Sequence, residues 1–189
     1  PDQKVSFIIR DHDDISNGAA YFFDNKIEIY APGMDYVFRG THNWLRNVVT
    51  HEFTHIVQIQ TAMKFGRRMP ALYFQWLGYE SERRPDVLYG YPNVVVSYPY
   101  SGYVVPVWFA EGVAQYNRKE LRYDFWDNHR DMILRSYVLD GNMLTWDQIG
   151  VFGKTSLGNE SSYNAGFAFV SYIGRKYGDD KLNEISRNL

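Results

Sequence analysis

Thr41-His42-Asn43-Trp44-Leu45-Arg46-Asn47-Val48-Val49-Thr50-His51-Glu52-Phe53-Thr54-His55-Ile56-Val57-Gln58-Ile59-Gln60 is the stretch on which the reading of this chain turns. Its apolar residues recur at three- and four-residue intervals, the period of a helix that buries one side. At about 100° per residue, Trp44, Leu45, Val48, Val49, Phe53, Ile56 and Ile59 fill one broad arc, and Arg46, Asn47, Thr50, Thr54 and Gln58 fall opposite. Inside that helix, His51-Glu52-Phe53-Thr54-His55 has the form H-E-x-x-H. Helical residues four apart stand one turn above each other, so both imidazoles reach one ion at Zn–N distances of about 2.0–2.1 Å. The glutamate beside the first His is placed to take a proton from water at that ion. Glu52 falls within the apolar arc, with His51 and His55 at its edge. A carboxylate among Val and Ile is costly to bury without a partner, and a dication supplies one. A solvated His-Glu-His face would have polar neighbours along that line, where Trp44, Val48 and Ile59 stand instead.

A catalytic zinc usually takes three protein ligands and leaves one position open. The chain has no cysteine, so the third ligand must be His, Asp or Glu. No charged residue occurs between Val87 and Ala110; Glu111 then stands alone in Val104-Val105-Pro106-Val107-Trp108-Phe109-Ala110-Glu111-Gly112-Val113-Ala114. So isolated a carboxylate needs a positive partner. The metal is one, and a salt bridge to Arg130 or Arg135 is the other. Pro106 suits the start of a helix carrying Glu111.

Outward from these motifs, the first forty residues read as strands and turns. Val5–Ile9 is a short apolar run, followed by the turn-rich Asp11-His12-Asp13-Asp14 and Asn17-Gly18. Ala20–Phe23 and Lys26–Tyr30 read as two strands around Asp24-Asn25. The stretch from Gly66 to Pro106 is rich in Pro, Gly and Tyr and has no period, so short helices and a long ordered loop are expected there. Helical periods resume at Val107–Arg118, Asn128–Leu139 and Tyr163–Tyr177, the last ended by Gly178. Strands first and helices afterwards predict an α+β fold: one domain over 1–189, mainly β over 1–40 and mainly helical over 41–189. The opening at Pro1 and the stop at Leu189 read as a piece of a longer chain.

Bulk properties remove several function classes. A formal net charge of −2 gives no field to recruit nucleic acid or an anionic membrane. No apolar run of about 18 residues exists to span a bilayer, and without cysteine neither disulfides nor thiolate ligands are available. Aromatic residues reach 17%, an excess that fits either a ligand-presenting surface or a tyrosine-rich core and rim.

H-E-x-x-H followed by Trp108-Phe109-Ala110-Glu111-Gly112 resembles the gluzincin metallopeptidases, in particular their peptidase-MA-like branch. Thr50–Gln58, Pro106–Gln115 and Tyr163-Asn164-Ala165-Gly166-Phe167 match the pattern, and Asp14–Tyr30 matches more loosely. The resemblance implies a small sheet packed on the active-site helix, with a helical C-terminal lobe (a zincin-like fold). It also implies that His51, His55 and Glu111 hold one zinc ion and that Glu52 is the general base. Tyr163 matches the tyrosine that stabilises the oxyanion in many members. Within the branch the chain is similar to bacterial proteins whose peptidase domain precedes a β-propeller, which implies a periplasmic or cell-surface location. The 55 residues between His55 and Glu111 exceed the spacing of the most compact gluzincins and leave room for a lid or part of a substrate cleft.

The expected activity is hydrolysis of peptide bonds in a peptide or protein substrate; the alternative is a zinc-containing module that serves assembly with a β-propeller without catalysis. A purely structural zinc fits poorly, since closed sites use four ligands, mostly Cys and His. His12 with Asp11, Asp13 and Asp14 reads as a solvated acidic loop, and His42 and His129 receive no metal role. The Arg130–Arg135 stretch is expected to form a buried ion pair, and Asn47 and Gln115 to stand behind the ligands one turn away.

Overall fold

The computed structural model describes residues 4–11, 15–33, 43–62, 73–78, 94–99, 105–116, 128–150 and 156–189. Three strands come first: β1 (Ser6–Arg10), β2 (Gly18–Tyr21) and β3 (Lys26–Tyr30), in the spatial order β1-β3-β2. β1 runs parallel to β3, with Phe7 opposite Ile27 and Ile9 opposite Ile29. β2 runs antiparallel to β3, with Gly18 opposite Ile29 and Ala20 opposite Ile27. The alternation in Lys-Ile-Glu-Ile-Tyr sets the sheet's two faces. Ile27 and Ile29 are buried, while Glu28 on the other face meets Arg10 at 3.1 Å and Lys26 at 3.0 Å. The predicted hairpin is present, but β2 lies two residues earlier than Ala20–Phe23 because the turn already begins at Phe22. Asn25 takes a positive φ of 49° there, a conformation asparagine tolerates better than most residues.

Helix α1 (Trp44–Ala62) follows. Its start is fixed by Asn43, whose Oδ1 accepts the Arg46 N–H at 3.2 Å, an N-cap bond. Val48 and Ile56 pack with Ile27 and Ile29, so the sheet lies on this helix as expected. The buried arc differs from the one read in the sequence. Leu45 and Phe53 are exposed, whereas Asn47, Thr54 and Gln58 are buried. The cause is packing on two sides: the sheet covers one flank, and helices from the C-terminal half cover the side that looked polar.

Residues 63–103 form a compact unit of their own, while 1–62 and 104–189 together form the other. In the inserted unit β4 (Tyr73–Gly78) pairs antiparallel with β5 (Val94–Pro99). The stretch expected to hold short helices and a loop therefore contains a two-stranded sheet. Its strands, Tyr-Phe-Gln-Trp-Leu-Gly and Val-Val-Val-Ser-Tyr-Pro, are β-branched and aromatic runs without alternation, a weak signal in single sequence.

The C-terminal part holds α2 (Val107–Tyr116), α3 (Asn128–Leu139), α4 (Trp146–Ile149), α5 (Ser156–Tyr177) and α6 (Asp180–Asn188). Pro106 precedes α2, and its carbonyl accepts the Ala110 N–H at 3.0 Å. Phe109, Val113 and Tyr116 of α2 build a core with Val170 of α5 and Leu182 of α6. α5 begins well before Tyr163 and ends at Gly178, whose φ of 92° closes the helix. α6 was not anticipated: few apolar residues mark it, yet Leu182 completes the core. The fold is α+β, a small sheet on α1 with a mainly helical C-terminal part. Among the described residues no helix is long and apolar enough to cross a membrane.

Candidate metal centre

Two helices bring the ligand set together. His51 and His55 stand one turn apart on α1, their rings 4.7 Å between centroids at 83°. Glu111 enters from the middle of α2, and all three are buried. Their donor atoms form a triangle. His51 Nε2 lies 2.9 Å from Glu111 Oε2 and 3.0 Å from His55 Nε2, and His55 Nε2 lies 3.3 Å from Glu111 Oε2. The three are the group of His, Asp and Glu side chains among the described residues whose donor atoms converge.

This donor set suits a metal ion. Ligand atoms about 2.0–2.2 Å from one tetrahedral centre stand roughly 3.3–3.6 Å apart, a few tenths of an ångström wider than the observed edges. Two imidazoles and one carboxylate, with no thiolate, match the ligands of hydrolytic zinc sites. In the bare protein the same triangle holds charge. Burial, the largest single influence, pushes the Glu111 carboxyl up; the charge on His55, the hydrogen bonds from His51 and His55, and the charge on His51 outweigh it. The carboxyl therefore sits below the ordinary carboxylate range, ionised and ready to ligate. The sequence left a metal or an arginine open as the partner of Glu111, and the groups found against it are the two histidines at 2.9 and 3.3 Å. Arg135 instead pairs with Asp131 at 2.7 Å on the surface of α3. The Arg135–Asp131 contact is an exposed i,i+4 pair, while Arg130 itself is buried.

Glu52 is buried beside His51 on α1. Tyr163, half-buried on α5, has its ring centroid 6.2 Å from that of His51. The structure thus brings the donor atoms of His51, His55 and Glu111 together from α1 and α2, sets the Tyr163 ring of α5 near His51, and places the Glu52 carboxylate against Gly18 of β2. Asn47 and Gln115 are buried one turn from His51 and Glu111, as a supporting role requires, although Gln115 Oε1 has no hydrogen bond among the described residues. His12, Asp13, Asp14 and His42 lie outside the described residues, as does the side chain of His129.

One neighbour of the site escaped the sequence reading. Asn17-Gly18 reads as a turn, yet Gly18 is the first residue of β2 and lies against Glu52 and Val48. The available signal was the small pair Gly18 and Ala20 at alternate positions, a face narrow enough to bring strand and helix close. Compared with protein families, with curated proteins and with solved structures, the chain shows no significant match in any of the three.

Proposed function

We propose that this chain is a zinc-dependent peptide hydrolase of the gluzincin kind. The observation that carries the proposal is the triangle of His51 Nε2, His55 Nε2 and Glu111 Oε2, with edges of 2.9, 3.0 and 3.3 Å, on a helix where Glu52 is the next residue after His51 and is buried. When bound there, zinc would acidify water and polarise a carbonyl. Glu52 takes the proton from the water that attacks the scissile carbonyl and delivers it to the departing amine. Its burial among apolar residues keeps competing solvent away and strengthens its electrostatic effect. Tyr163 of α5, its ring 6.2 Å from that of His51, donates its phenolic hydrogen to the carbonyl oxygen as charge develops there.

The test is turnover of fluorescein-labelled casein together with zinc content by elemental mass spectrometry. Glu52→Gln is expected to keep about one zinc per chain and to lose about 10²–10⁴-fold in kcat, the usual worth of a general base. Full activity in Glu52→Gln would remove this mechanism.

A second reading, a zinc-bearing assembly module, draws support from one observation. Val138, Leu139 and Trp146 expose large apolar side chains around the end of α3 and in α4. Zinc-loaded protein that cuts no peptide, yet whose association with another domain is lost on Leu139→Asp, would favour it.

A further inference from the structure

The strand β2 reaches α1 at one unusually close point. Gly18 shares a face with Ala20, and Ala20 packs against the cluster of Ile27, Ile29, Val48 and Ile56. A Cβ placed on Gly18 would stand 2.8 Å from Glu52 Oε1 and 2.9 Å from Glu52 Cγ, and closer still to Val48 Cγ2. These are distances at which something must move. Nothing in the backbone asks for glycine there: unlike Gly141 and Gly178, Gly18 has no positive φ, and glycine is a poor strand residue. Space alone excludes a side chain. The atoms that exclude it belong to Val48 and Glu52, one turn apart on α1.

We propose that Gly18 is a positioning residue for Glu52. Its bare main chain, held in register opposite Ile29, is the wall against which the Glu52 side chain rests beside His51. The inference rests on the reading of Glu52 as general base, since a wall matters for catalysis only if the carboxylate must stand in one place. A methyl group at position 18 keeps the strand and the ligands but displaces the carboxylate. Misplacement of a reacting group by about 1 Å costs on the order of 10²-fold in rate.

Two measurements separate this role from simple packing. The first is an unfolding cycle in urea on metal-free protein, with wild type, Gly18→Ala, Glu52→Ala and the double variant. The drop in midpoint caused by Gly18→Ala is expected to be measurably smaller once the Glu52 side chain is cut back, the part that remains coming from Val48. An equal drop in both backgrounds overturns the proposal. The second is turnover of labelled casein by zinc-loaded protein. Gly18→Ala is expected to lose about tenfold to a hundredfold in kcat, with KM and zinc content unchanged, and to add no further loss in the Glu52→Gln background. A wild-type kcat in Gly18→Ala also overturns it. If Gly18→Ala alone does not fold, Gly18→Ala with Val48→Ala removes the tightest clash and leaves the one with Glu52. If wild type cuts no casein, the base reading falls, and the unfolding cycle still decides whether Gly18 holds Glu52 in place.

Discussion

Glu111 Oε2 stands 2.9 Å from His51 Nε2 and 3.3 Å from His55 Nε2, so one carboxylate oxygen joins two helices. Glu111→Ala should therefore lose bound zinc on dialysis where wild type keeps it, read by elemental mass spectrometry, because two imidazoles alone make a weak site. The pH dependence of the metal-free protein has a definite sign. A carboxyl lowered in the folded state contributes stability above its unfolded pKa, and that stability is lost as pH falls toward the folded value. Urea midpoints of wild type should thus fall as pH drops below about 4.5, the free-carboxyl range, and Glu111→Gln should flatten that fall. Equal slopes would mean that the carboxylate does nothing in the empty site. At this scale the sequence was most legible. H-E-x-x-H is a local pattern tied to one helical turn, and Glu111 stood out because no other charge lies near it in the chain. Gly18 was illegible because its role depends on a strand and a helix meeting, which no local spacing encodes.

Among the elements, α1 shows where periodicity misleads. Counting apolar residues placed Phe53 inside, yet it is 38% exposed, while Gln58 is 5% exposed with its Nε2 3.5 Å from Ser186 Oγ of α6. A helix clamped on two flanks has no single polar face, and short polar residues line the flank that meets other helices. Ile56→Ala should accordingly cost about 2–5 kcal/mol as a core truncation, and Phe53→Ser no more than about 0.5 kcal/mol, both read from urea midpoints. Gly112 and Gly166 mark the crossing of α2 and α5. A Cβ on Gly112 would meet the Gly166 carbonyl oxygen at 2.5 Å, and one on Gly166 would strike the Trp108 carbonyl. Because the obstructing atoms are backbone, neither contact can be relieved by turning a side chain. Gly166→Ala should cost about 1–3 kcal/mol and, by shifting α2 under Glu111, should weaken zinc binding as well; unchanged stability would show that the helices can part without loss. The strands β4 and β5 were missed because their apolar residues carry no clean two-residue period, whereas α6 does carry a helical spacing in Leu182, Ile185 and Leu189 and was overlooked because it is short and otherwise polar.

For the molecule as a whole, zinc held as proposed by His51, His55 and Glu111 would crosslink parts distant in sequence. A ligand that binds only the folded state stabilises it by about 2.7 kcal/mol at a hundred times its Kd. In a chain of this size each 1 kcal/mol moves the thermal midpoint by about 2–4 °C, so zinc should raise the wild-type midpoint by about 5–10 °C and leave Glu111→Ala unmoved. The order of strands and helices in the sequence was enough for the α+β class. The division into two units was not, because the larger one is built from 1–62 and 104–189 with the other inserted between them. That discontinuity makes the chain a natural split protein. Cleavage anywhere in 63–103 would leave one fragment carrying both histidines and another carrying the glutamate, neither with a full coordination set. Their reunion would report zinc by complementation, with the metal as the glue between halves.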